Sequence, residues 1–345
     1  MTSPQATGKP TLVSLAQELG VSRQTVSNVV NKPHVVHPAT RARVQAAIER
    51  TGYRPSAVGR ALRTRRTMNI GYHMYPLHDG IHESVMDQFL HHLTVSSQNH
   101  GYRITLLPTA VGAHSDQLAN LESLRQSSTI DAAVLVNVVH KDPRLSRPAP
   151  PGLHLVSFGR PWGIPEPLHP WVDVDGAAGT EAATWHFREQ GHTRIGFIGE
   201  PADRCVSDDR REGWRRGMVG LPGDHHRWQL IADEGARDGA VAAEELLRRG
   251  VTAFVCNTDS LALGAFNVLR SRRDLTGQEV PVTGFDNTPV AQALGMSSIS
   301  QPLLVAAEQV VTLIVALAAR DPAARHRRVL LKPRLEVRRL EAFAA

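Results

Sequence analysis

Three side chains near the N-terminus are of the types that read nucleic-acid bases. In the stretch GVSRQTVSNVVN, residues 20–31, helical spacing places Arg23, Gln24 and Asn28 on one face and valines on the opposite face. An arginine can donate two hydrogen bonds to guanine, and asparagine or glutamine can pair in a similar way with adenine. The alternative is an ordinary amphipathic helix with a solvated polar face.

The charge of the chain is concentrated around that stretch. The 345 residues carry 39 basic and 33 acidic side chains, a net +6 at pH 7. The first 68 residues hold eleven Lys or Arg and two Glu, or +9, so the remainder carries +6 minus +9, or −3. A basic head on a mildly acidic body is typical of a nucleic-acid-binding domain joined to a second module, which favours base reading over the solvated face.

Short helices position the polar face. Apolar residues at helical spacing in TLVSLAQELG predict a first helix with Thr11 as N-cap and Gly20 as its end. Ser22 caps a second helix, and Pro38 opens a third that Gly52 ends. A tight turn before a second helix with a free polar face is helix-turn-helix geometry, in which the second helix enters the major groove.

From residue 69 onward, short β-rich runs alternate with helix-length segments. The runs include NIGYHMY, YRITLLP, AAVLVNV, LHLVSF, TRIGFIG, TAFVCN and VPVTGF. Strands alternating with helices predict parallel α/β sheets, and the length of this part favours two lobes. Ligands of such architectures bind in a cleft at the carboxyl ends of the strands.

Composition excludes several classes of protein. Hydrophobic residues at 41% and charged residues at 21% are typical of a globular protein. The longest apolar run, near residues 310–319, is shorter than the about 20 residues of a membrane span, and MTSPQATGKPT has no apolar signal region. Cys205 and Cys256 are the two cysteines, which excludes a disulfide framework and predicts a cytoplasmic location.

The sequence offers no recognisable enzyme chemistry. It contains no phosphate-binding loop, no HExxH and no nucleophile elbow. Asp173 and Asp175 in VDVDG share one side of a strand and could pair on a metal, although a solvated strand end is favoured because few other ligands are near. The 17 histidines lack metal-ligand spacing. We expect no catalytic residue, metal or cofactor.

The segment TLVSLAQELGVSRQTVSNVVNKPHVVHPATRARVQAAIERTGYRPSAVGRALRTRRTMNIGY closely resembles the DNA-binding head of the lactose/galactose repressor family. The stretches GHTRIGFIG, RREGW, NTDSLALGA, GFDNTP and ISQP extend the resemblance through most of the chain. The resemblance implies an all-α helix-turn-helix head followed by a two-lobed periplasmic-binding-protein-like domain of parallel α/β sheets.

Domain boundaries follow from the same comparison with that family. We expect a DNA-binding domain at 1–54, a hinge helix and linker at 55–68, and an effector-binding domain at 69–345. Lobe one is expected at about 69–170 and 301–328, and lobe two at about 171–300 and 329–345.

The resemblance assigns base reading to Arg23, Gln24 and Asn28. Many family members have arginine where this chain has Asn28, so the operator is expected to differ at the corresponding position. The complete set of expected DNA contacts is Ser22, Arg23, Gln24, Thr25, Ser27, Asn28, Asn31, Tyr53, Ser56, Leu62 and Arg63.

The segment from Ser56 to Arg63 resembles the hinge helix of the family. By that resemblance Leu62 wedges into the minor groove at the centre of the operator, with Arg63 beside it. The alternative is that Leu62 packs against the body. A helix this short is expected to melt without DNA, and Gly59, where the family commonly has alanine, favours melting further.

The resemblance places an effector pocket between the lobes. The expected effector-binding residues are Asp79, His82, Glu83, Arg160, Arg210, Thr258, Asp286 and Gln301. Alternatives stay open for several: Asp286 could cap the turn after it, Arg210 could belong to a structural ion pair, and His82 and Glu83 could be ordinary loop and helix-start residues.

Sugar-binding members often carry an aromatic residue near the position of Asp238, where this chain has GARDGA. Trp162, Trp171 and Trp228 are possible substitutes that the sequence does not place.

These features together predict a homodimeric, DNA-binding transcription regulator, a repressor, that reads a near-palindromic operator under the control of a small effector, a sugar. A secreted solute-binding protein would need a signal peptide and no basic head. An enzyme would need a nucleophile or a phosphate-binding motif. Neither rival fits the sequence.

Overall fold

The computed structural model of the chain describes residues 10–54, 66–74, 83–108, 114–201, 205–233, 235–276 and 279–338. It divides into two compact units, residues 1–68 and 69–345. We call them the head and the body.

The described residues of the head form three α-helices, α1 (Leu12–Leu19), α2 (Arg23–Asn31) and α3 (Pro38–Thr51). The predicted caps form: the Thr11 hydroxyl accepts a hydrogen bond from the backbone of Ser14 at 3.1 Å, and Ser22 caps α2 through the backbone of Thr25 at 3.0 Å. Gly20 and Gly52 end their helices in the left-handed conformation. A small core joins the three helices and is formed by Leu15, Ala16, Val26, Val29, Val44, Ala47 and Tyr53.

In the part of the body that the structure describes, the strands form two six-stranded sheets, one in each lobe. The strands are β1 (Asn69–Met74), β2 (Arg103–Pro108), β3 (Ala132–Leu135), β4 (His154–Phe158), β5 (Trp171–Val174), β6 (Ile195–Gly199), β7 (Gln229–Ile231), β8 (Ala253–Cys256), β9 (Val282–Phe285), β10 (Ser297–Ser300), β11 (Arg328–Leu331) and β12 (Arg334–Glu336). The strand orders are β11-β5-β4-β3-β1-β2 in the first lobe and β12-β10-β9-β8-β6-β7 in the second. Every described strand pair is parallel except β10 with β12.

Helices cover the sheets, as alternating strands and helices predict. They are α4 (Glu83–Asn99), α5 (His114–Gln126), α6 (Gly176–Glu189), α7 (Cys205–Met218), α8 (Ala236–Arg248), α9 (Asp259–Thr276), α10 (Pro289–Ala293) and α11 (Leu303–Ala318). In the second lobe α6 and α7 pack so closely that a Cβ on Gly213 would overlap the backbone oxygen of Ala177. This close packing places the first turns of α7 beside the start of α6.

The sheets correct the predicted lobe boundaries. Both β5 and β11 belong to the first sheet, whereas the sequence assigned 171 onward and 329 onward to the second lobe. The chain therefore crosses between lobes near residues 175, 301 and 332. The boundary was misplaced because β11 is a short edge strand that pairs with β5 across a long sequence separation.

No helix in the described part of the chain is long and apolar enough to cross a membrane. Both cysteines are free and buried.

Candidate functional site: nucleic-acid interface and ligand cleft

The second helix presents the predicted polar face. Val26 and Val29 are buried in the head core, while Arg23 and Gln24 are exposed and Asn28 is half-buried. The Gln24 amide donates a hydrogen bond to Oδ1 of Asn28 at 2.9 Å. The structure therefore joins two of the three predicted base-reading side chains into one unit.

The neighbouring polar residues are tied to their own helix. The Ser22 and Thr25 hydroxyls lie 2.9 Å apart, and the Asn31 amide donates to the backbone oxygen of Ser27 at 2.7 Å. Tyr53 lies in the head core, where burial raises the pKa of its hydroxyl. This core position gives Tyr53 a structural role, and its expected DNA contact stays a prediction.

Several predicted residues lie outside the described part of the chain. They are Ser56, Leu62 and Arg63 of the hinge, and Asp79 and His82 of the first lobe. Glu83 is the first residue of α4, and its side chain is also outside the described part.

A charged group in the second lobe lies where strands β9 and β10 end. Nη2 of Arg210 lies 3.6 Å from Oδ1 of Asp286, and the Gln301 amide donates to that same oxygen at 2.7 Å. The Arg210 guanidinium also stacks on the ring of Phe285 at 3.6 Å. Three predicted effector residues, from one helix and two strand ends, are thus brought together.

The sequence reasoning missed two members of this group. Nη1 of Arg210 donates to the backbone oxygen of Asn257 at 2.5 Å, and the Asn257 amide donates to Oε2 of Glu200 at 2.8 Å. Glu200 and Asn257 directly follow β6 and β8, so their position at carboxyl ends of strands was the available signal. Nε of Arg210 and Oδ1 of Asn257 are buried without a hydrogen-bond partner, which is the state of groups that a ligand can satisfy.

Thr258 belongs to the start of α9. It is buried, and its hydroxyl accepts a hydrogen bond from the backbone of Leu261 at 3.3 Å. The hydroxyl therefore caps a helix. The helix that follows Asp286, α10, has Thr288 as its N-cap.

Arg160 lies between the lobes. Its Nε donates to Oδ2 of Asp173 at 2.6 Å within the first lobe, and its Nη2 donates to Oδ2 of Asp209 on α7 of the second lobe at 3.1 Å. Burial lowers the pKa of Arg160, but the two carboxylates outweigh this and raise it. Burial raises the pKa of both Asp173 and Asp209, against the opposing effect of Arg160.

Asp173 and Asp175 of VDVDG form neither the metal-binding pair nor the solvated strand end that the sequence suggested. Asp173 is ion-paired rather than at a solvated strand end, and Asp175 caps α6 through the backbone of Ala178 at 3.0 Å. Among the described residues no group of three or more His, Cys, Asp or Glu could hold a metal ion.

One tryptophan lies near the cleft. The indole of Trp162 stacks under the Arg160 guanidinium at 4.4 Å, just past the carboxyl end of β4. Trp171 begins β5, so it lies at the opposite edge of that sheet, and Trp228 packs in the core of the second lobe. Trp162 is therefore the tryptophan that the structure places beside the predicted effector residues.

The Arg160 and Arg210 groups adjoin each other. A Cβ on Gly176, at the start of α6, would lie 3.0 Å from both Cγ of Arg210 and Oδ2 of Asp209. The two groups form one continuous polar surface across the lobes. Its charged members are Arg160, Asp173, Glu200, Asp209, Arg210 and Asp286.

Family models match both parts of the chain. Residues 11–56 match the model described as bacterial regulatory proteins, lacI family, and residues 184–339 match a periplasmic binding protein-like domain.

Curated relatives match over most of their length. The HTH-type transcriptional regulator AglR of Rhizobium meliloti is 31% identical over 301 residues, 85% of this chain and 81% of the relative. The regulator CelR of Thermobifida fusca is 29% identical over 89% of this chain and 91% of the relative. The ribose operon repressor of Escherichia coli strain K12 is 26% identical over 85% of this chain and 88% of the relative.

Solved structures agree with the architecture. The structure of a CelR–cellobiose complex aligns with 96% of this chain and with 100% of the CelR chain, with a TM-score of 0.69 and 28% identity. A lac repressor dimer bound to operator covers 96% of this chain with a TM-score of 0.76 at 19% identity, a likeness of fold.

Proposed function

The chain belongs to the lacI family of bacterial regulatory proteins, and on that premise we propose that it is a repressor whose affinity for operator DNA is set by a sugar bound between its lobes. Family membership makes it a DNA-binding transcriptional regulator and not an enzyme. The repressor role, the sugar and the cytoplasmic location are the proposed part. A relative named as a ribose operon repressor supports the first of these.

The head binds one half of a near-palindromic operator in this proposal. The exposed face of α2 carries Arg23 and the Gln24–Asn28 pair toward the base edges in the major groove. Ser22 and Thr25 contact phosphates, and Leu62 enters the minor groove at the operator centre with Arg63 beside it. The remaining predicted DNA contacts are Ser27, Asn31, Tyr53 and Ser56. Reading two half-sites requires a homodimer.

The observation that carries the effector proposal is the continuous polar surface from Arg160 to Gln301. It lies at the carboxyl ends of strands of both lobes, where ligands of two-lobed α/β proteins bind. Arg210 supplies the donors and Asp286 the acceptor oxygens that fix vicinal hydroxyls.

The charge of this surface favours a neutral ligand. Among the described residues that form it are four carboxyl groups and two guanidiniums, which are Asp173, Glu200, Asp209 and Asp286 against Arg160 and Arg210. A phosphate or carboxylate on the effector would add a like charge to a surface whose carboxyl groups are in excess. An uncharged sugar, as in the cellobiose complex of CelR, fits better.

Binding of the sugar alters the arrangement of the lobes and through it the heads. The switch requires that the sugar bind two arrangements with different affinity. The chain joins the lobes near residues 175, 301 and 332, so Gln301 lies at one of the joints.

Selection of bound sequences from random DNA, repeated with a panel of neutral sugars and of their phosphorylated forms, tests the proposal. We expect a near-palindromic site whose occupancy changes with a neutral sugar. A protein lacking residues 1–62 is expected to keep sugar binding and lose operator binding. Operator binding by the shortened protein would overturn the proposed role of the head. A response limited to phosphorylated sugars would overturn the proposal of a neutral sugar as effector.

A further inference from the structure

A buried carboxylate behind the ligand cleft accepts three hydrogen bonds, two from the turn after β9 and one from strand β10. Asp259, the first residue of α9, is 2% exposed. Its Oδ2 accepts hydrogen bonds from the backbone N–H of Thr288 at 2.7 Å and from the Thr288 hydroxyl at 2.9 Å. Its Oδ1 accepts one from the Ser298 hydroxyl at 2.6 Å. A single side chain thus ties the segment after β9 to strand β10.

The tied segment contains strained backbone. Asp286 has φ 109° and Asn287 has φ 51°, the left-handed region that favours glycine. Two consecutive non-glycine residues in this region persist only where surrounding contacts hold them. The strain therefore lies at the residue whose carboxylate accepts from Gln301 and faces Arg210.

The hydrogen bonds around Asp259 have one possible direction. The Ser298 hydroxyl accepts from the backbone N–H of Asn287 at 2.8 Å, and the Thr288 hydroxyl accepts from that of Ala291 at 3.3 Å. Each hydroxyl then donates its proton to Asp259. All three of these groups donate to the carboxylate, so the side chain at position 259 must offer two acceptor oxygens.

The surrounding packing is fitted to this side chain. A Cβ on Gly284, in strand β9, would overlap Oδ1 of Asp259. The carboxylate also lies at the N-terminus of an 18-residue helix, where a negative charge is favourable. Burial and the nearby charge of Asp286 raise the pKa of Asp259 to about 7, against the opposing effect of its three donors.

We propose that Asp259 is the positioning residue of the effector site: through Thr288 and Ser298 it holds the strained Asp286–Asn287 backbone so that the Asp286 carboxylate faces the ligand. This inference rests on the proposed function, in which Asp286 contacts the sugar. Asp259 itself does not touch the ligand. This role could not be predicted from the sequence, because Asp259 lies next to Thr258 and only the fold shows which of the two side chains reaches the turn.

Asp259→Asn tests the inference with nearly unchanged side-chain volume. The substitution replaces one carboxylate oxygen by an NH2 group, which then faces a hydrogen-bond donor of Thr288 or Ser298 instead of accepting from it. We expect faster hydrogen–deuterium exchange in peptides covering residues 284–290, and an affinity for the most tightly binding neutral sugar of the panel that falls about tenfold or more. Operator affinity without sugar is expected to stay the same.

Thr288 supplies a matched pair of variants. Thr288→Ser keeps the hydroxyl that donates to Asp259 and should retain sugar affinity, while Thr288→Val removes it at similar volume and should lose affinity. A merely structural role for Asp259 predicts instead that loss of affinity follows loss of melting temperature across the series. If Asp259→Asn does not fold, the Thr288 pair and Ser298→Ala decide the question.

Asp286→Asn separates this inference from the proposed function. Loss of sugar binding in Asp286→Asn with normal binding and exchange in Asp259→Asn would overturn the positioning role alone. Normal sugar binding in Asp286→Asn would overturn the proposed site and the inference with it. If no panel sugar binds the unmodified protein, the sugar proposal fails, and unchanged exchange of 284–290 in Asp259→Asn overturns the role of Asp259 in holding the turn.

Discussion

Arg160 of the first lobe donates a hydrogen bond to Asp209 of the second lobe at 3.1 Å, while Asp173 holds the other side of the same guanidinium at 2.6 Å. The Arg160 and Asp209 side chains are 21% and 13% exposed. A charge pair that is largely shielded from water is screened less by salt than a surface pair. Removal of one partner leaves the other charge shielded from water with less compensation, so loss of this pair destabilises the lobe arrangement in which it forms.

Asp209→Asn is expected to reduce the response of operator binding to sugar. The variant removes the charge that pairs with Arg160, but its side-chain oxygen can still accept from the backbone of Ala177. The described lobe arrangement loses stability. If the sugar favours that arrangement, saturation becomes incomplete; if it favours the other, the protein is already shifted before sugar is added.

In both cases the operator affinities with and without sugar differ less than in the unmodified protein. We expect the ratio of the two affinities to move toward one by a factor of roughly three to ten. Fluorescence anisotropy with a labelled operator measures the ratio. Asp208→Asn is the matched control, because Asp208 is one residue away, more exposed, and paired with Arg211 on its own helix. An unchanged ratio in Asp209→Asn, or an equal loss in Asp208→Asn, contradicts the prediction.

Gln24→Ala and Asn28→Ala are expected to have non-additive effects on operator binding. Each removes one partner of the 2.9 Å hydrogen bond that orients the other. Each single change should cost about 1–3 kcal/mol of specific binding, and the double variant should cost less than the sum because the second change removes an already disordered partner.

Titrations of operator into the four proteins of this cycle give the coupling. Pairing Gln24→Ala with Glu49→Gln, an exposed change on α3, provides an additive reference cycle. Strict additivity of the Gln24 and Asn28 changes would show that the two side chains read bases independently.

Local sequence rules predicted much of the head and most of the strands. Thr11, Ser22, Gly20 and Gly52 act within one turn of their own helix, so residue type alone assigns them a role. The apolar runs of β6, β8 and β9 are fully buried and are recognisable as such.

Long-range partners decided what the sequence did not predict. Thr258 and Asp259 are adjacent polar residues at a helix start, and only contacts with β10 and the turn after β9 give them different roles. Arg160 was predicted at the effector site, but its ion pairs could not be predicted, because the two carboxylate partners are 13 and 49 residues away. Strands β11 and β12 are too short to stand out by pattern.

Gly59→Ala is expected to tighten operator binding and to reduce the response to sugar. Alanine favours a helix over glycine by about 1 kcal/mol, which corresponds to roughly fivefold in affinity if the hinge folds only on DNA. Ala57→Gly makes the opposite change two residues away and should weaken binding by a similar factor. Operator titration measures both, and equal affinities in the two variants would contradict a hinge that folds on binding.

His73 is expected to make the stability of the body fall with acidification. It is 3% exposed in β1, where burial and the positive charge of Arg144 lower its pKa to about 4. An unfolded chain holds a proton on this histidine below pH 6.5, whereas the folded chain does not until about pH 4. The unfolded state therefore binds more protons over that range, and the free energy of unfolding decreases as the pH falls through it.

Between pH 7 and pH 5 this residue should remove roughly 2 kcal/mol of stability. His73→Gln cannot take up the proton, so its loss between the two pH values should be smaller by that amount, even if the variant is less stable at both. Urea unfolding at each pH measures the difference, with His91→Gln on the exposed side of α4 as the control. Asp259 acts in the opposite sense, since its raised pKa favours the folded state on acidification, so the comparison is made between variants rather than from the slope of the unmodified protein. Equal pH dependence in the His73 and His91 variants would contradict the prediction.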